Sequence, residues 1–506
     1  MSKKVIFYCI SLIFILTILF VSKNLDTAFL WYDEAGQFFI AKGLNHDSDP
    51  LAKTQGITEV VYNNSRYNLD PGGFSIILHF WSSISNSHIW LRLLPFLFFI
   101  GTILSYIYLS NKWLKNINMA ILMGFIPILI PMVLKMGFEI RAYSMETLGT
   151  LLGIIAIEKF KHQLNNKHLL IWASILAVFM TSRYSEIIIV FCVSLYIIYL
   201  IFTSKKTLMQ KFTSSLVYSA PLILSLLYIY LVPLANQNSD LKAISYLKYI
   251  SKDRYILTYT SNLIYFGIIA TLGLLFLFSF KYEILKKYRA LLFVTVSVNF
   301  MFFVLSYLGK HPWEPYSNRC ISMFLLVILC LSMLCGELFL NLLKGFDTWK
   351  FGLGVAGLVA LLFIRKEALL IRFSNENTYE YLKEIELSKY KKIHVDRTES
   401  PVVRYLLEYG SLKEMANGYY PERFTFAKFL RHGFYEGKIK RLEFYATQPK
   451  MNDYANHDLM IAPELYSLGR SYKWKLLPET KKIYIKKTVE ELAVTDTTKA
   501  VETFKF

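Results

Sequence analysis

Cysteine is scarce in this chain: five in 506 residues, Cys9, Cys192, Cys320, Cys330 and Cys335, all within or at the edge of apolar runs. That placement excludes a disulfide framework and a cysteine-based zinc spacing. Acidic residues are also few, 37 Asp and Glu against 56 Lys and Arg, for a formal net charge of +19. The C-terminal tail has no glycine loop of the kind that cradles phosphate. No internal repeat of the sort that marks many transporters is visible. No small-residue cleavage site follows the first apolar run, Val5 to Val21 behind Lys3 and Lys4, so this run reads as a retained signal anchor.

What is abundant is apolar and aromatic. The chain is 54% hydrophobic, and its 39 Phe and 35 Tyr exceed what one water-soluble core of ordinary composition holds. Stretches long enough to cross about 30 Å of hydrocarbon recur. They are Val5 to Val21, Ile89 to Leu109, Met119 to Met136, Ala142 to Ile157, Leu169 to Met180 and Glu186 to Phe202. The series continues at Leu216 to Leu234, Leu263 to Phe280, Leu291 to Leu308, Ile321 to Leu343 and Phe351 to Ile364. This pattern predicts a mostly α, polytopic membrane protein of about eleven transmembrane helices over residues 1–367. A C-terminal soluble α/β domain over 368–506 is expected to follow.

Basic residues gather in every second short connection: Lys3 and Lys4; Lys112 and Lys115; Lys159, Lys161 and Lys167; Lys205, Lys206 and Lys211; Lys281, Lys286, Lys287 and Arg289; Lys344 and Lys350. These connections are expected on the cytoplasmic side of a plasma (inner) membrane. The positive charge is then topological, and nucleic-acid binding loses its support. An odd number of spans puts the N-terminus in the cytoplasm and the C-terminal domain outside.

The connections on the other side differ. Residues 22–88 form a long, acidic, Asn- and Gly-rich loop, of the kind that carries function. Within it, Phe74 to Ile84 is too short to span and is expected to lie along the interface as an amphipathic helix. A second loop, Asn236 to Thr258, sets Lys242, Lys248, Lys252 and Arg254 between tyrosines. It reads equally as a mobile cover over an anionic ligand or as a loop resting on lipid headgroups. In the tail, strand-like runs at 392–395, 442–445, 459–462 and 482–485 accompany helix-like segments at 379–387 and 402–409.

The residues that could carry chemistry lie near the expected outer ends of the spans. Asp33 and Glu34, in Trp31-Tyr32-Asp33-Glu34-Ala35, are adjacent carboxylates that can accept a proton from an attacking hydroxyl or hold a divalent cation. Glu139, Arg141 and Tyr143 fall at the junction of the third and fourth spans. Arg183, with Tyr184 and Glu186, falls at the end of the fifth. His311, Glu314, Tyr316 and Arg319 precede the tenth. Any one arginine reads as a snorkelling anchor. Together they predict a cavity with carboxylates on one wall and guanidinium groups on the other, suited to a lipid-linked phosphate. His46, Asp47 and Asp49 read as a flexible acidic loop more readily than as metal ligands. His79 and His88 read as interface residues of an aromatic belt. His394-Val395-Asp396 and His457-Asp458 read as strand ends.

The order of these motifs resembles the GT-C membrane glycosyltransferases, in the branch of protein O-mannosyltransferases and lipid A aminoarabinose transferases. The likeness covers most of the membrane portion. It rests on Asp33-Glu34, on Pro71-Gly72-Gly73-Phe74-Ser75-Ile76-Ile77-Leu78-His79 leading to Leu91-Arg92-Leu93-Leu94-Pro95, on Glu139-Ile140-Arg141-Ala142-Tyr143, and on Asn318-Arg319. It implies a donor sugar on polyprenyl phosphate and inverting transfer to an envelope acceptor (protein, lipid or glycan). Asp33 would be the general base, with Glu34 positioning the acceptor or binding a cation. Arg319, Arg141 and Arg183 would contact the lipid phosphate. Independently of the resemblance, Glu139, Tyr143, His311, Glu314 and Tyr316 are candidates by their placement to line the pocket or the acceptor side. Where the family often has a basic residue or His before two prolines, this chain has Asp70-Pro71-Gly72; where it often has Arg-Tyr, this chain has Arg319-Cys320. The other readings are a transporter or flippase of lipid-linked sugars, and a polysaccharide polymerase or ligase.

Overall fold

The computed structural model describes residues 3–27, 29–45, 48–68, 70–236, 260–308, 311, 313–342, 357, 362, 364, 366–371, 382, 387–395, 399–415, 418, 420–426, 459–461, 474–476 and 483–486. The chain is mostly helical. Among the described residues, six helices are long and apolar enough to cross a membrane: Lys4–Asp26, His88–Leu114, Tyr184–Thr203, Leu208–Leu234, Arg289–Tyr307 and Asn318–Asn341. Each coincides with an expected span.

Other expected spans differ for identifiable reasons. The run from Met119 to Met136 is broken into Ile117–Gly124, Ile126–Leu129 and Pro131–Met136. Pro127 and Pro131 each lack the N–H that would continue the ladder. Tyr143–Phe160 is helical but carries Glu146, Glu158 and Lys159. Asn166–Met180 and Asn262–Phe278 are apolar but shorter. The expected span from Phe351 to Ile364 lies outside the described residues apart from 357, 362 and 364. So do the loop 237–259, the strand 442–445, most of the helix 379–387, His46, Asp47, Asp396, His457 and Asp458.

The chain forms two units. One comprises Met1–Leu25, Asn64–Trp81 and Leu91–Ile371; the other comprises Asp26–Asn63, Ser82–Trp90 and Arg372–Phe506. In the first, apolar side chains face outward along the first helix and along Leu208–Ile229, at Leu12, Leu16, Leu19, Leu216, Leu224 and Leu227. The interior contacts between helices include polar ones. Tyr106 and Ser332 hydroxyls share a hydrogen bond, Tyr265 donates to Asn299 Oδ1 at 2.7 Å, and the Ser194 and Tyr218 hydroxyls meet at 3.0 Å. Where lipid is the solvent, such pairs and close backbone approach hold helices together in place of a hydrophobic drive. Gly153 supplies the close approach, since a Cβ there would lie 3.0 Å from Val193.

Charges collect at the two ends of these helices. At one end Glu158 meets Lys161 at 2.5 Å and Lys112 at 3.6 Å, and Lys287 meets Glu337 at 2.6 Å. Arg141, Tyr143, Arg183 and Asn318 stand at the other ends of the same helices or of their neighbours.

In the second unit, the described strands β1 (Ile393–Val395), β2 (Phe424–Phe426), β3 (Leu459–Ile461), β4 (Trp474–Leu476) and β5 (Ile483–Lys486) form one sheet in the order β2-β1-β3-β5-β4. β1 runs parallel to β2 and β3, with Ile393 opposite Phe424 and Leu459, and β5 runs antiparallel to β3 and β4. The apolar runs of the tail foretell β1, β3 and β5; β2 and β4 are additional. Helix Ser400–Glu408 packs on helix Tyr32–Ala41 through Phe38, whose ring lies 5.2 Å from Tyr405 and 5.1 Å from Tyr409.

Arg404 fastens this pair of helices. Its guanidinium is buried, donates to Glu408 Oε1 (3.1 Å) and to the carbonyls of Ser48 (2.8 Å) and Asp49 (3.1 Å), and lies 4.6 Å from the Phe39 ring. Tyr420 also donates to Glu408 Oε1, at 2.6 Å. Burial and the Glu408 carboxylate push the Tyr420 phenol up, so it remains a donor. Removing one partner of a buried ion pair costs about 3 kcal/mol or more. Arg404→Met should therefore lower the stability of this unit by about that amount, read as faster amide exchange across Tyr32–Ala41 in the full chain. Unaltered exchange there would contradict the role given to Arg404.

Candidate functional site: a carboxylate–guanidinium cluster

Three separated segments of the first unit bring charged groups to one place. Arg183 precedes the helix Tyr184–Thr203, with extended backbone at its N-terminal boundary. Its Nη1 donates to Glu146 Oε2 at 3.1 Å and to the Asn318 carbonyl at 3.0 Å, and its Nε lies 3.4 Å from Asp70 Oδ1. The guanidinium lies 4.3 Å from the centre of the Tyr143 ring. Burial works against the Arg183 charge, but Glu146 and Asp70 outweigh it, and the pKa is raised. Arg141 reaches the same carboxylate, Nη2 to Asp70 Oδ2 at 3.9 Å, and the same ring at 5.9 Å.

The sequence between Asn64 and Gly73 explains how Asp70 arrives there. Asn64 donates to the Asp70 carbonyl at 2.9 Å and accepts from Asn68 (3.1 Å) and Ser75 (2.6 Å). Gly72 has φ +101°, a conformation that L side chains rarely adopt, and a Cβ there would strike Asn64 Nδ2 at 2.7 Å. Gly73 N–H donates to the Thr181 carbonyl at 2.9 Å. A Cβ on Gly73 would overlap the Thr181 hydroxyl and stand 2.9 Å from that carbonyl. The two glycines thus let one loop lie against the other, two residues before Arg183.

Supporting contacts surround the cluster. Ser185 donates to Glu146 Oε1 at 2.5 Å, and Asn318 Nδ2 donates to the Tyr143 hydroxyl at 3.0 Å. Glu186 is fully buried and accepts from Thr150 at 3.0 Å. Gly149 makes room for it, because a Cβ there would lie 2.8 Å from Glu186 Oε1.

Of the residues singled out from the sequence, the structure brings together Arg141, Tyr143 and Arg183. Glu139 is buried two residues before Arg141, whose N–H donates to the Glu139 carbonyl at 2.6 Å. Arg319 is half-exposed and pairs with Glu314 at 3.5 Å, while its neighbour Asn318 takes the inner position. Tyr316 packs on Tyr265 (5.8 Å) and Phe324 (5.9 Å), and His311 stands edge-on to Phe302 at 4.8 Å. Asp33 and Glu34 belong to the second unit, in the first turn of the helix Tyr32–Ala41. Glu34 is fully buried and accepts from the Trp31 N–H at 3.1 Å, which closes the N-terminus of that helix. Asp33 is half-buried.

Asp70, Glu146 and Asn318 are site residues to which the sequence assigns no role, although Asp70 and Asn318 stand within quoted motifs. Their signals were present: Asp70 opens an Asp-Pro-Gly-Gly turn, and Glu146 follows Tyr143 by three positions, on the same helical face. Among the described residues, no three His, Cys, Asp or Glu side chains converge as metal ligands. Compared with known proteins, the chain matches no family model and no curated protein.

Two outcomes follow from the geometry. Arg183→Met leaves Glu146 and Asp70 without their main counter-charge and should cost about 3–5 kcal/mol. Arg319→Met removes the half-exposed, solvent-screened pair with Glu314, and loss of that pair should cost less than about 1 kcal/mol. Thermal unfolding of the purified full chain compares the two, and equal losses would refute the distinction. Gly73→Ala should destabilise by about 1–3 kcal/mol through overpacking, and Thr181→Gly in the same chain should restore part of that.

Proposed function

We propose that the chain is an inverting glycosyltransferase that moves a sugar from a polyprenyl-phosphate donor to an envelope acceptor. The observation that carries this reading is the convergence of Arg141 and Arg183 on the Tyr143 ring. Planar, permanently charged forks match phosphate oxygens and can stabilise the charge on a departing phosphate. In the proposed reaction an acceptor hydroxyl oxygen bonds to the anomeric carbon. The bond from that carbon to the phosphate oxygen breaks, and its electron pair leaves with the polyprenyl phosphate. The hydroxyl proton passes to a general base, which the GT-C resemblance assigns to Asp33. Glu34 is committed to its helix terminus, so we assign it no proton transfer.

The reading includes a topology of about eleven crossings, with the N-terminus cytoplasmic and the C-terminal α/β domain outside an inner membrane. The alternation of basic connections supports it. One observation favours a second reading, a transporter or flippase of lipid-linked sugars: Glu146 and Glu186 are fully buried in helices read as spans, and such residues often mark transport pathways.

The test is transfer by the full chain, reconstituted in lipid, from candidate polyprenyl-phosphate sugars to envelope fractions. Loss of a general base slows such reactions by about 10²–10⁴. Asp33→Asn should reduce transfer of a labelled sugar by that order while the protein stays folded. Undiminished transfer by Asp33→Asn refutes the assignment of the base, and movement of the intact lipid-linked sugar without transfer selects the second reading. A diphosphate-linked oligosaccharide as the only accepted donor selects a polymerase or ligase.

A further inference from the structure

The two edges of the Arg183 guanidinium are held differently. Nη1 is committed: Glu146 and the Asn318 carbonyl sit at 3.1 and 3.0 Å, and Glu146 is itself fixed by Ser185 at 2.5 Å. The Nε edge faces only a long contact, Asp70 Oδ1 at 3.4 Å, and Arg141 meets Asp70 Oδ2 at 3.9 Å. Charge-assisted contacts of this type close to about 2.7–2.9 Å when well made. Asp70 therefore bridges two guanidinium groups loosely, one oxygen to each, as two oxygens of a phosphate would do.

The backbone of Asp70 is fixed by other bonds. Its carbonyl is held by Asn64, and the turn beyond it is tied to Thr181 through the Gly73 N–H. The carboxylate can thus turn away by side-chain rotation without loss of the loop. Its side chain is 11% exposed, and those of Arg141 and Arg183 are 18% and 15% exposed, whereas Glu146 has no exposure. The exchangeable anion is the one that solvent can reach.

We propose that Asp70 is a resident stand-in for the ligand's phosphate: its carboxylate occupies the Arg141–Arg183 fork until a phosphate ester on an apolar chain displaces it. Arg183 then keeps Glu146 as its permanent counter-charge and turns its Nε edge to the phosphate. Arg141 exchanges Asp70 for the second phosphate oxygen. Asp70 becomes a specificity-determining residue, since a neutral headgroup has nothing to offer the fork in exchange. The inference rests on the phosphate-lipid reading above and adds the residue with which that lipid competes.

The experiment measures binding of radiolabelled farnesyl phosphate to the immobilised full chain in detergent, with farnesol and inorganic phosphate as competitors. Like charges placed together cost enough that their removal raises affinity by about tenfold or more. Asp70→Asn should therefore bind farnesyl phosphate about tenfold more tightly than the wild type, and farnesol should not compete in either protein. Competition by inorganic phosphate, strengthened in Asp70→Asn, supports the stand-in with free phosphate as its ligand. No competition by inorganic phosphate supports it with the lipid ester as ligand. Equal or weaker binding by Asp70→Asn overturns it, as does competition by farnesol equal to that of farnesyl phosphate. Arg141→Gln, which keeps the Arg183–Glu146 pair, should lose at least about tenfold; unchanged affinity in that variant also overturns the proposal. Because the readout is binding, a failure of sugar transfer would remove the enzymatic reading and leave this one standing.

Discussion

A guanidinium cannot be left uncompensated away from water, and in the first unit this single requirement draws distant segments together. Arg183 needs counter-charge, a further acceptor and an aromatic face, and it takes them from the carboxylates of Glu146 and Asp70, the Asn318 carbonyl and the Tyr143 ring. Those four residues come from a loop, from the helix Tyr143–Phe160 and from the turn that opens Ile321–Leu342. The packing of the helices behind them need only be consistent with that knot, and the small residues Gly72, Gly73 and Gly149 make it so by letting backbone and carboxylate come close.

The second unit solves the same problem with other residues. Arg404 lies against a ring, Phe39, and satisfies its donors with one carboxylate and two carbonyls. The carbonyls belong to Ser48 and Asp49, more than three hundred positions earlier in the chain. The segments Asp26–Asn63 and Ser82–Trp90 therefore belong to the same unit as the C-terminal residues, although the former follows the first helix directly in sequence. In both units the guanidinium joins segments that no periodicity would pair.

Much of the helical content was legible because hydrocarbon is an intolerant solvent. Long apolar runs such as Tyr184–Thr203 and Arg289–Tyr307 have no other stable form in it. The break in the third run was written in Pro127 and Pro131, but average hydrophobicity conceals it. The site was half legible. Arg141, Tyr143 and Arg183 stand out as charge and aromatic groups at the edges of apolar runs. Glu146 does not, because a carboxylate one turn inside a span is visible as an exception only once its partner is known. Asp70 was hidden differently: the turn Asp70-Pro71-Gly72 reads as a departure from a motif, and only the approach of Gly73 to Thr181 turns that departure into a contact. Arg319 and Asn318 show the limit of residue-type reasoning, since the charged neighbour pairs with Glu314 and the neutral one meets Tyr143 and Arg183.

The proline breaks near Ile126 and Pro131 also bear on the opening helix. Where a helix is interrupted, carbonyl oxygens lose their donors, and lipid offers none in return. Ile6 and Ile10 of the first helix pack with Ile121 and Phe125 beside the first break, and the Phe14 ring meets Phe125 edge-on at 5.1 Å. The opening helix thus braces the interrupted run from one side, and its removal would bare the buried side chains of Ile121 and Phe125 next to the first break.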